Sequence, residues 1–213
     1  DTWEAHEWNS FSRKVREWLK TTTTEDENYV WDAYVAYQML FFLSNNGMRL
    51  GEVVKVKRKD IQFYQREGGK GASHKNLCAF VQVHPSTKTG AREVNAMGGE
   101  FAKRVYDKSK FKTKEDFLFC HLDGTAFTTK QFRKWFERMI TFTNENERWG
   151  KRFVPYGIRH FYATTRLQNG TTRSALCENM GVTEPYLRKH YSHYSTKLAT
   201  DDLTKMNSEI GLG

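Results

Sequence analysis

The sequence predicts an α+β fold that is mainly helical, with a small antiparallel sheet at one edge. Over most of the chain, apolar side chains recur at the spacing of an amphipathic helix. Only the part between Asp60 and Val94 changes to the alternating, β-branched pattern of strands. With 213 residues, 38% of them hydrophobic, the chain is long enough to bury one sizeable core.

Helices dominate the first 56 residues. Apolar residues from Trp3 to Leu19 predict a short N-terminal helix, and the polar run TTTTEDENY after it predicts a linker. A helix with a broad buried face includes Val35 to Leu43 and ends at Asn45-Asn46-Gly47, a typical C-cap and turn. Another short helix begins at Arg49 and continues to Val56.

Three short segments predict the sheet. Ile61 to Tyr64 alternates, Ala79 to Val83 is almost wholly apolar, and Arg92 to Val94 follows a Thr87-Lys88-Thr89-Gly90 turn. The three segments therefore predict a small antiparallel sheet, with Lys88 in the turn before the third segment.

The second half of the chain returns to helices. Phe101 to Tyr106 is one, and the capping box Thr128-x-x-Gln131 opens the clearest amphipathic helix. The stretch from Pro155 to Tyr194 reads as three short helices separated by Gly170 and Gly181. They bring Arg159 near a tyrosine flanked by His190 and His193.

Composition narrows the class of partner. Thirty-four lysines and arginines against 25 acidic residues give a net charge of +9, which favours a polyanion such as nucleic acid. The three cysteines lack C-x-x-C spacing, so we expect free thiols and neither a metal site nor a cofactor. No apolar run is long enough to span a bilayer, and we expect no membrane partner.

Four motifs, in order, resemble the catalytic domain of the tyrosine recombinase (phage integrase) family. NNGMRLGEVVKVKRKDI is similar to the family's first arginine box, and HPSTKTGAREV to its β-hairpin. R-H-F-x-A-T from Arg159 is similar to the second arginine box, and H-Y-S-H from His190 to the segment that carries the nucleophile. The resemblance covers roughly residues 29–194.

The resemblance implies site-specific cleavage and rejoining of double-stranded DNA through a 3′-phosphotyrosyl intermediate, without cofactor or metal. Tyr191 is the implied nucleophile, Lys88 the general acid, and Arg49 and Arg159 the phosphate clamp. These roles suit the residue types, because a planar guanidinium matches phosphate oxygens and stays protonated. Glu52 is expected to orient Arg49.

Two positions depart from the family pattern. Tyr156 stands where the family usually has a histidine, and Val182 where it has histidine or tryptophan. Our hypothesis is that the Tyr156 phenol takes part in phosphate binding and that His190 or His193 partly replaces the missing imidazole. A Tyr156→Phe variant that cleaves normally would contradict the first half.

Some assignments have simpler alternatives. Tyr186 and Tyr194 compete with Tyr191 for the nucleophile role. His160 fits a satisfied, partly buried histidine better than a catalyst, although its place beside Arg159 makes it a supporting residue. A basic cluster is either a solvated face or a contact with the DNA backbone; its members are Lys103, Arg104, Lys108, Lys110, Lys112 and Lys114.

The predicted organisation has three parts: an N-terminal helix and linker (1–25), the catalytic domain (26–195) and a C-terminal tail (196–213). Because the chain starts at Asp1 without Met, we expect an excised domain. The family implies a homo-tetramer on two DNA sites with exchanged tails, and a cytoplasmic, nucleoid-associated location in a bacterial or phage-infected cell. The rival functions are a type IB topoisomerase-like enzyme and a DNA-binding relative that has lost catalysis.

Overall fold

A computed structural model describes residues 1–66, 77–84 and 90–191. A final helix, α9, occupies 184–191, where the described part ends. The three strands are β1 (Ile61–Gln65), β2 (Leu77–Val83) and β3 (Arg92–Ala96). The other helices are α1 (Ala5–Thr21), α2 (Glu27–Ser44), α3 (Leu50–Val53), α4 (Gly99–Lys108), α5 (Thr129–Thr143), α6 (Glu145–Trp149), α7 (Pro155–Gln168) and α8 (Arg173–Met180).

Helix α2 lies at the centre of the main core. Its residues from Val35 to Ser44 are all buried, so it has no polar face in its second half. Helices α1, α4, α5 and α7 pack around it. No helix in the described part of the chain is long and apolar enough to cross a bilayer.

The sheet has the predicted antiparallel order β1-β2-β3. Ile61 pairs with Val81, and Val81 pairs with Val94, so these three side chains share the buried face. Helix α4 packs on β2, and α8 packs on β3. The edge strand β3 is thus adjacent to the helices that carry the candidate site.

The segment TTTTEDENY is not the linker that the sequence predicted. Thr22–Thr24 form a 3-10 turn that continues α1, and Asp26 caps α2 by accepting from the Asn28 and Tyr29 amides. The hydroxyls of Thr21, Thr22 and Thr23 donate back to carbonyls of the preceding turn, such as Thr22 Oγ1 to Leu19 O at 2.8 Å. Helix α1 packs into the same core as α2, through side chains that include Phe11 and Val15.

A second, smaller apolar cluster joins α7, α8 and α9. Tyr162 and Leu167 from α7, Leu176 and Met180 from α8, and Leu187 from α9 form it, together with Tyr191. The glycine predicted to end α8, Gly181, has a φ of 62° and closes that helix as a left-handed C-cap. The predicted nucleophile therefore lies in the packing between three short helices.

Candidate active site

Arg49 is held at the start of α3 by the turn that follows α2. Gly47 in this turn has a φ of 68°, and the Asn46 side chain accepts a hydrogen bond from the Met48 amide at 2.7 Å. The Arg49 amide donates to Glu52 Oε2 at 2.9 Å, and Arg49 Nη1 donates to Glu52 Oε1 at 3.0 Å. One carboxylate thus fixes both the backbone and the guanidinium of Arg49.

Arg159 reaches the same place from α7 and is only 6% exposed. Its Nη1 donates to the Gly47 carbonyl and its Nη2 to the Met180 carbonyl, the latter at 2.9 Å. Arg49 Nη2 donates to the next carbonyl, Gly181 O, at 3.3 Å. Consecutive carbonyls at the end of α8 therefore hold the two guanidiniums side by side. Burial and the charge of Arg49 lower the pKa of Arg159 to about 10, so it stays protonated at neutral pH.

Glu52 is buried between two arginines from different elements. Arg92, the first residue of β3, donates from Nη1 to Glu52 Oε1 at 3.0 Å and from Nη2 to Oε2 at 2.8 Å. Burial alone raises the pKa of Glu52, but the hydrogen bonds from Arg92 and Arg49 outweigh it and lower the pKa to about 2. Glu52 is therefore ionised at neutral pH, and it orients the arginines.

Arg92 is a site residue that sequence reasoning missed. The sequence pattern places it only in a strand, although Arg92-Glu93-Val94-Asn95-Ala96 contains a further signal. Residues two apart share a strand face. Arg92 is therefore on the face of Val94 and Ala96, both fully buried. A charged residue on a buried strand face requires a partner, which here is Glu52.

The arginines line a cleft of about 1070 Å³ between β3, α7 and α8. Val182 is on its wall, where the family usually has an imidazole or indole, and it contributes an apolar surface. Among the described residues, the tyrosines on the lining are Tyr156 and Tyr186, and Tyr191 is not on it. The charged groups on the lining are Arg49, Arg92, Glu93, Arg159 and Glu178.

Tyr156 and Tyr186 form a hydroxyl pair in this cleft. Their oxygens are 2.7 Å apart, and Tyr156 is 53% exposed. Burial, together with the bond to Tyr156, raises the pKa of Tyr186. Tyr156 is thus placed to meet a ligand of the cleft, and Tyr186 remains a rival to Tyr191 on position alone.

Tyr191, the last described residue, is 4% exposed. Its hydroxyl oxygen is 2.7 Å from His160 Nδ1, and His160 directly follows Arg159 on α7. Burial raises the pKa of Tyr191, and the nearby Tyr156 and Tyr186 raise it further, while Arg159 opposes them. Burial, His190 and Arg159 lower the pKa of His160, so its imidazole is neutral at physiological pH. In the neutral tautomer that carries its proton on Nε2, His160 accepts the hydrogen bond of the Tyr191 hydroxyl at Nδ1.

His160 and His190, both predicted to support the site, contact different tyrosines. The His190 ring is 6.4 Å from the His160 ring and 4.3 Å from the Tyr186 ring, measured between centroids. It thus faces Tyr186, and His160 is the imidazole in contact with Tyr191. Lys88, His193, Tyr194 and the tail at 196–213 lie outside the described residues.

The predicted basic cluster lies on α4 and the loop after it. Several of its members already have contacts within the protein. Lys103 pairs with Asp107, Lys112 Nζ donates to the carbonyls of Tyr106 and Asp107, and Lys108 lies 4.4 Å from the centre of the Tyr34 ring. Arg104, Lys110 and Lys114 are exposed.

Several solved structures with the same fold are recombinases in complex with DNA. The chain aligns with the XerH site-specific recombinase bound to a palindromic difH substrate with a TM-score of 0.66 and 17% identity, over 95% of this chain and 52% of XerH. It aligns with the Tn1549 transposon integrase in complex with circular intermediate DNA with a TM-score of 0.65 and 18% identity, over 96% and 65% of the two chains. A lambda integrase tetramer bound to a Holliday junction gives 0.55 and 12%, over 86% and 47%.

The chain thus spans about half the length of XerH, and at these identities the likeness shows the fold. No curated protein sequence matches the chain significantly. The family model described as "Phage integrase family" matches residues 12–197, which is most of the sequence. By that match, with the fold and the paired arginines in agreement, the chain belongs to the phage integrase family.

Proposed function

We propose that this chain is the catalytic part of a site-specific DNA recombinase. It cleaves and rejoins DNA strands through a covalent 3′-phosphotyrosyl intermediate on Tyr191. Membership of the phage integrase family supports this proposal. So do the DNA complexes of structurally similar proteins, XerH and the Tn1549 integrase.

The pairing of Arg49 with Arg159 is the observation that carries the proposal. Two cations side by side repel each other, and their closeness here depends on Glu52 and on the Met180 and Gly181 carbonyls. Such an arrangement costs stability, and it is useful when a dianionic transition state has to be bound. A phosphodiester in the cleft presents two non-bridging oxygens to this clamp.

The reaction that fits these groups is in-line displacement at phosphorus. The Tyr191 oxygen attacks, the bond from phosphorus to the 5′-oxygen breaks, and the phosphate remains linked to the tyrosine. Arg49 and Arg159 stabilise the charge of the pentavalent state. Lys88 is the proposed donor of a proton to the departing 5′-oxygen. Attack of a 5′-hydroxyl on the phosphotyrosine reverses the sequence, so no ATP is needed.

The proposed working form is a homo-tetramer on two double-stranded DNA sites, with the 196–213 tails exchanged between protomers. The lambda integrase structure with a similar fold is a tetramer on a Holliday junction, which supports this assembly. The proposed location is the bacterial nucleoid, in the cell that holds the mobile element.

Covalent trapping tests the proposal and identifies the nucleophile. The DNA is a supercoiled plasmid that carries the sequences flanking the chain's own gene, and protein-linked DNA is recovered after denaturation. We expect a linked product with the wild type and none with Tyr191→Phe. Tyr186→Phe is the matched control on the same helix, and we expect it to retain cleavage within about tenfold, since it loses one neutral hydrogen bond.

Each other outcome contradicts a specific part of the proposal. Loss of product with Tyr186→Phe alone would move the nucleophile to Tyr186. Tight DNA binding by the wild type without any linked product would make the chain a DNA-binding relative without catalysis. Relaxation of a plasmid lacking the flanking sequences would indicate a type IB topoisomerase-like activity.

A further inference from the structure

We propose that His160 is the general base that accepts the proton of the Tyr191 hydroxyl during strand cleavage. This inference rests on the proposed function and adds a catalytic residue to it. The hydroxyl oxygen of Tyr191 is 2.7 Å from His160 Nδ1, within the reach that proton transfer requires. His160 therefore contacts the reacting atom itself.

The fold places His160 between the phosphate clamp and the nucleophile. Arg159, its neighbour in sequence, turns towards the end of α8, while His160 turns towards α9. Tyr156 is one helical turn earlier on α7; its ring lies edge-on to His160, 4.7 Å away between centroids, and it also lines the cleft. Helix α7 thus places Arg159 to bind the phosphate and His160 to contact the Tyr191 nucleophile.

Other described groups are less suitable as the proton acceptor. Tyr156 and Tyr186 are bonded to each other, and a phenol is a weak base. His190 directly precedes Tyr191 on α9, so the two side chains project about 100° apart around the helix axis. The His190 ring faces Tyr186 instead. Glu52 is engaged by Arg49 and Arg92.

The proton and electron accounts balance without an added reagent. As the bond from the Tyr191 oxygen to phosphorus forms, the O–H proton passes to His160 Nδ1; the bond to the 5′-oxygen breaks, and that oxygen takes a proton from Lys88, the proposed acid. The imidazolium that results lies beside an anionic phosphate, which offsets the repulsion from Arg159. In rejoining, a 5′-hydroxyl attacks and gives its proton back to Lys88, while the tyrosine oxygen leaves and takes the proton from His160.

The test compares two substitutions that separate proton transfer from positioning. In His160→Asn, the amide oxygen is near the position of Nδ1 and still accepts the tyrosine hydrogen bond, but it takes no proton at neutral pH. His160→Ala removes both functions. The measurement is the single-turnover rate of covalent trapping on the flanking-sequence DNA, with the thermal midpoint and DNA affinity measured alongside.

We expect His160→Asn to bind DNA normally and to slow trapping by about 100-fold or more, in the range for general-base loss. The defect persists on DNA in which sulfur replaces the bridging 5′-oxygen. The thiolate of this substrate leaves without a proton, so the substrate restores the rate only of a variant that lacks the general acid. A fluorinated tyrosine at position 191, with a more acidic phenol, restores much of the rate in His160→Asn and changes the wild-type rate little.

Trapping by His160→Asn within a few-fold of wild type, with His160→Ala slow, would show that His160 only positions Tyr191 and would overturn the inference. If His160→Asn is unstable, the trapping rates of otherwise wild-type proteins with fluorinated tyrosines at position 191 still test whether a base assists. A rate that rises steeply with phenol acidity there means that no base assists. If the wild type itself gives no trapped product, the proposed function fails. Failure of the proposed function is thus distinguishable from failure of the His160 inference alone.

Discussion

At the scale of single residues, the site depends on how three arginines and one carboxylate share a small volume. Glu52 contacts Arg49 through the backbone amide and the guanidinium, and it binds Arg92 through both of its oxygens. Arg92 also donates from Nε to the Asn179 carbonyl at 3.2 Å, which connects β3 to α8. A buried carboxylate with this many donors acts as a structural anchor for the cations that bind phosphate.

Glu52→Gln is therefore expected to lower the free energy of unfolding by an amount that depends on pH. The folded pKa of about 2 is below the ordinary value of 4.5. The carboxylate hence stabilises the fold fully above pH 4.5, and its contribution disappears as pH falls from 4.5 towards 2. The shift corresponds to about 3 kcal/mol. Urea unfolding at pH 7, 5, 4 and 3 measures it.

The variant should lose stability at pH 7 and then show a flatter acid dependence than the wild type. Glu17→Gln is the control, because Glu17 forms an exposed pair with Lys20, and such pairs contribute about 0–1 kcal/mol. An acid dependence in Glu52→Gln as steep as in the wild type would mean that Glu52 is not the group responsible.

At the scale of elements, the turn between α2 and α3 sets the position of both clamp arginines. Gly47 has a φ of 68°, and a Cβ placed there would lie 2.4 Å from the Tyr162 ring. Its carbonyl accepts from Arg159. Glycine at this position thus allows α2, α3 and α7 to meet at the site.

Gly47→Ala is expected to destabilise the protein by about 3 kcal/mol or more, from backbone strain and the clash together. Gly150 is the matched control, with a φ of 60° and open space around a Cβ, so Gly150→Ala carries the strain alone, about 1–2 kcal/mol. Urea midpoints of both variants give the difference. Equal losses would show that the packing of Tyr162 against Gly47 does not matter.

The elements that sequence predicted well were those with local signals. The Thr128 capping box, the Gly181 C-cap and the strand alternation all depend on residues within a few positions. Helix α6 was missed because it follows α5 through Asn144, whose φ of 55° is uncommon for a residue other than glycine. The contact of His160 with Tyr191 spans 31 residues and depends on how α7 packs against α9, which no local pattern encodes.

At the scale of the whole molecule, the scaffold and the chemistry are divided between two apolar clusters. The large core holds α1, α2, α5 and the sheet, and it fixes Arg49 and Glu52 through the start of α3. The smaller cluster of α7, α8 and α9 holds Tyr191. Arg159 connects the two clusters, because it lies on α7 and donates to the carbonyls of Gly47 and Met180.

The net charge of +9 is a property of the whole molecule, and its distribution predicts where the DNA backbone runs. Lys110, Lys112 and Lys114 are all exposed in the loop after α4, but Lys112 donates to carbonyls at the end of α4, which makes it a structural lysine. If that loop contacts phosphates, the double variant Lys110→Ala/Lys114→Ala should reduce the slope of log affinity against log salt by about 1–2 units.

The control removes the same charge from another surface: Arg13→Ala/Lys20→Ala, both exposed on α1. Titrations between about 50 and 200 mM salt then separate a local contact from the effect of net charge. A slope reduced equally by both pairs would mean that only the overall charge matters. A slope changed by neither would place the DNA on another face. Only a selective loss with the α4 loop variant supports backbone contact there, because counterion release counts the phosphates that the protein touches.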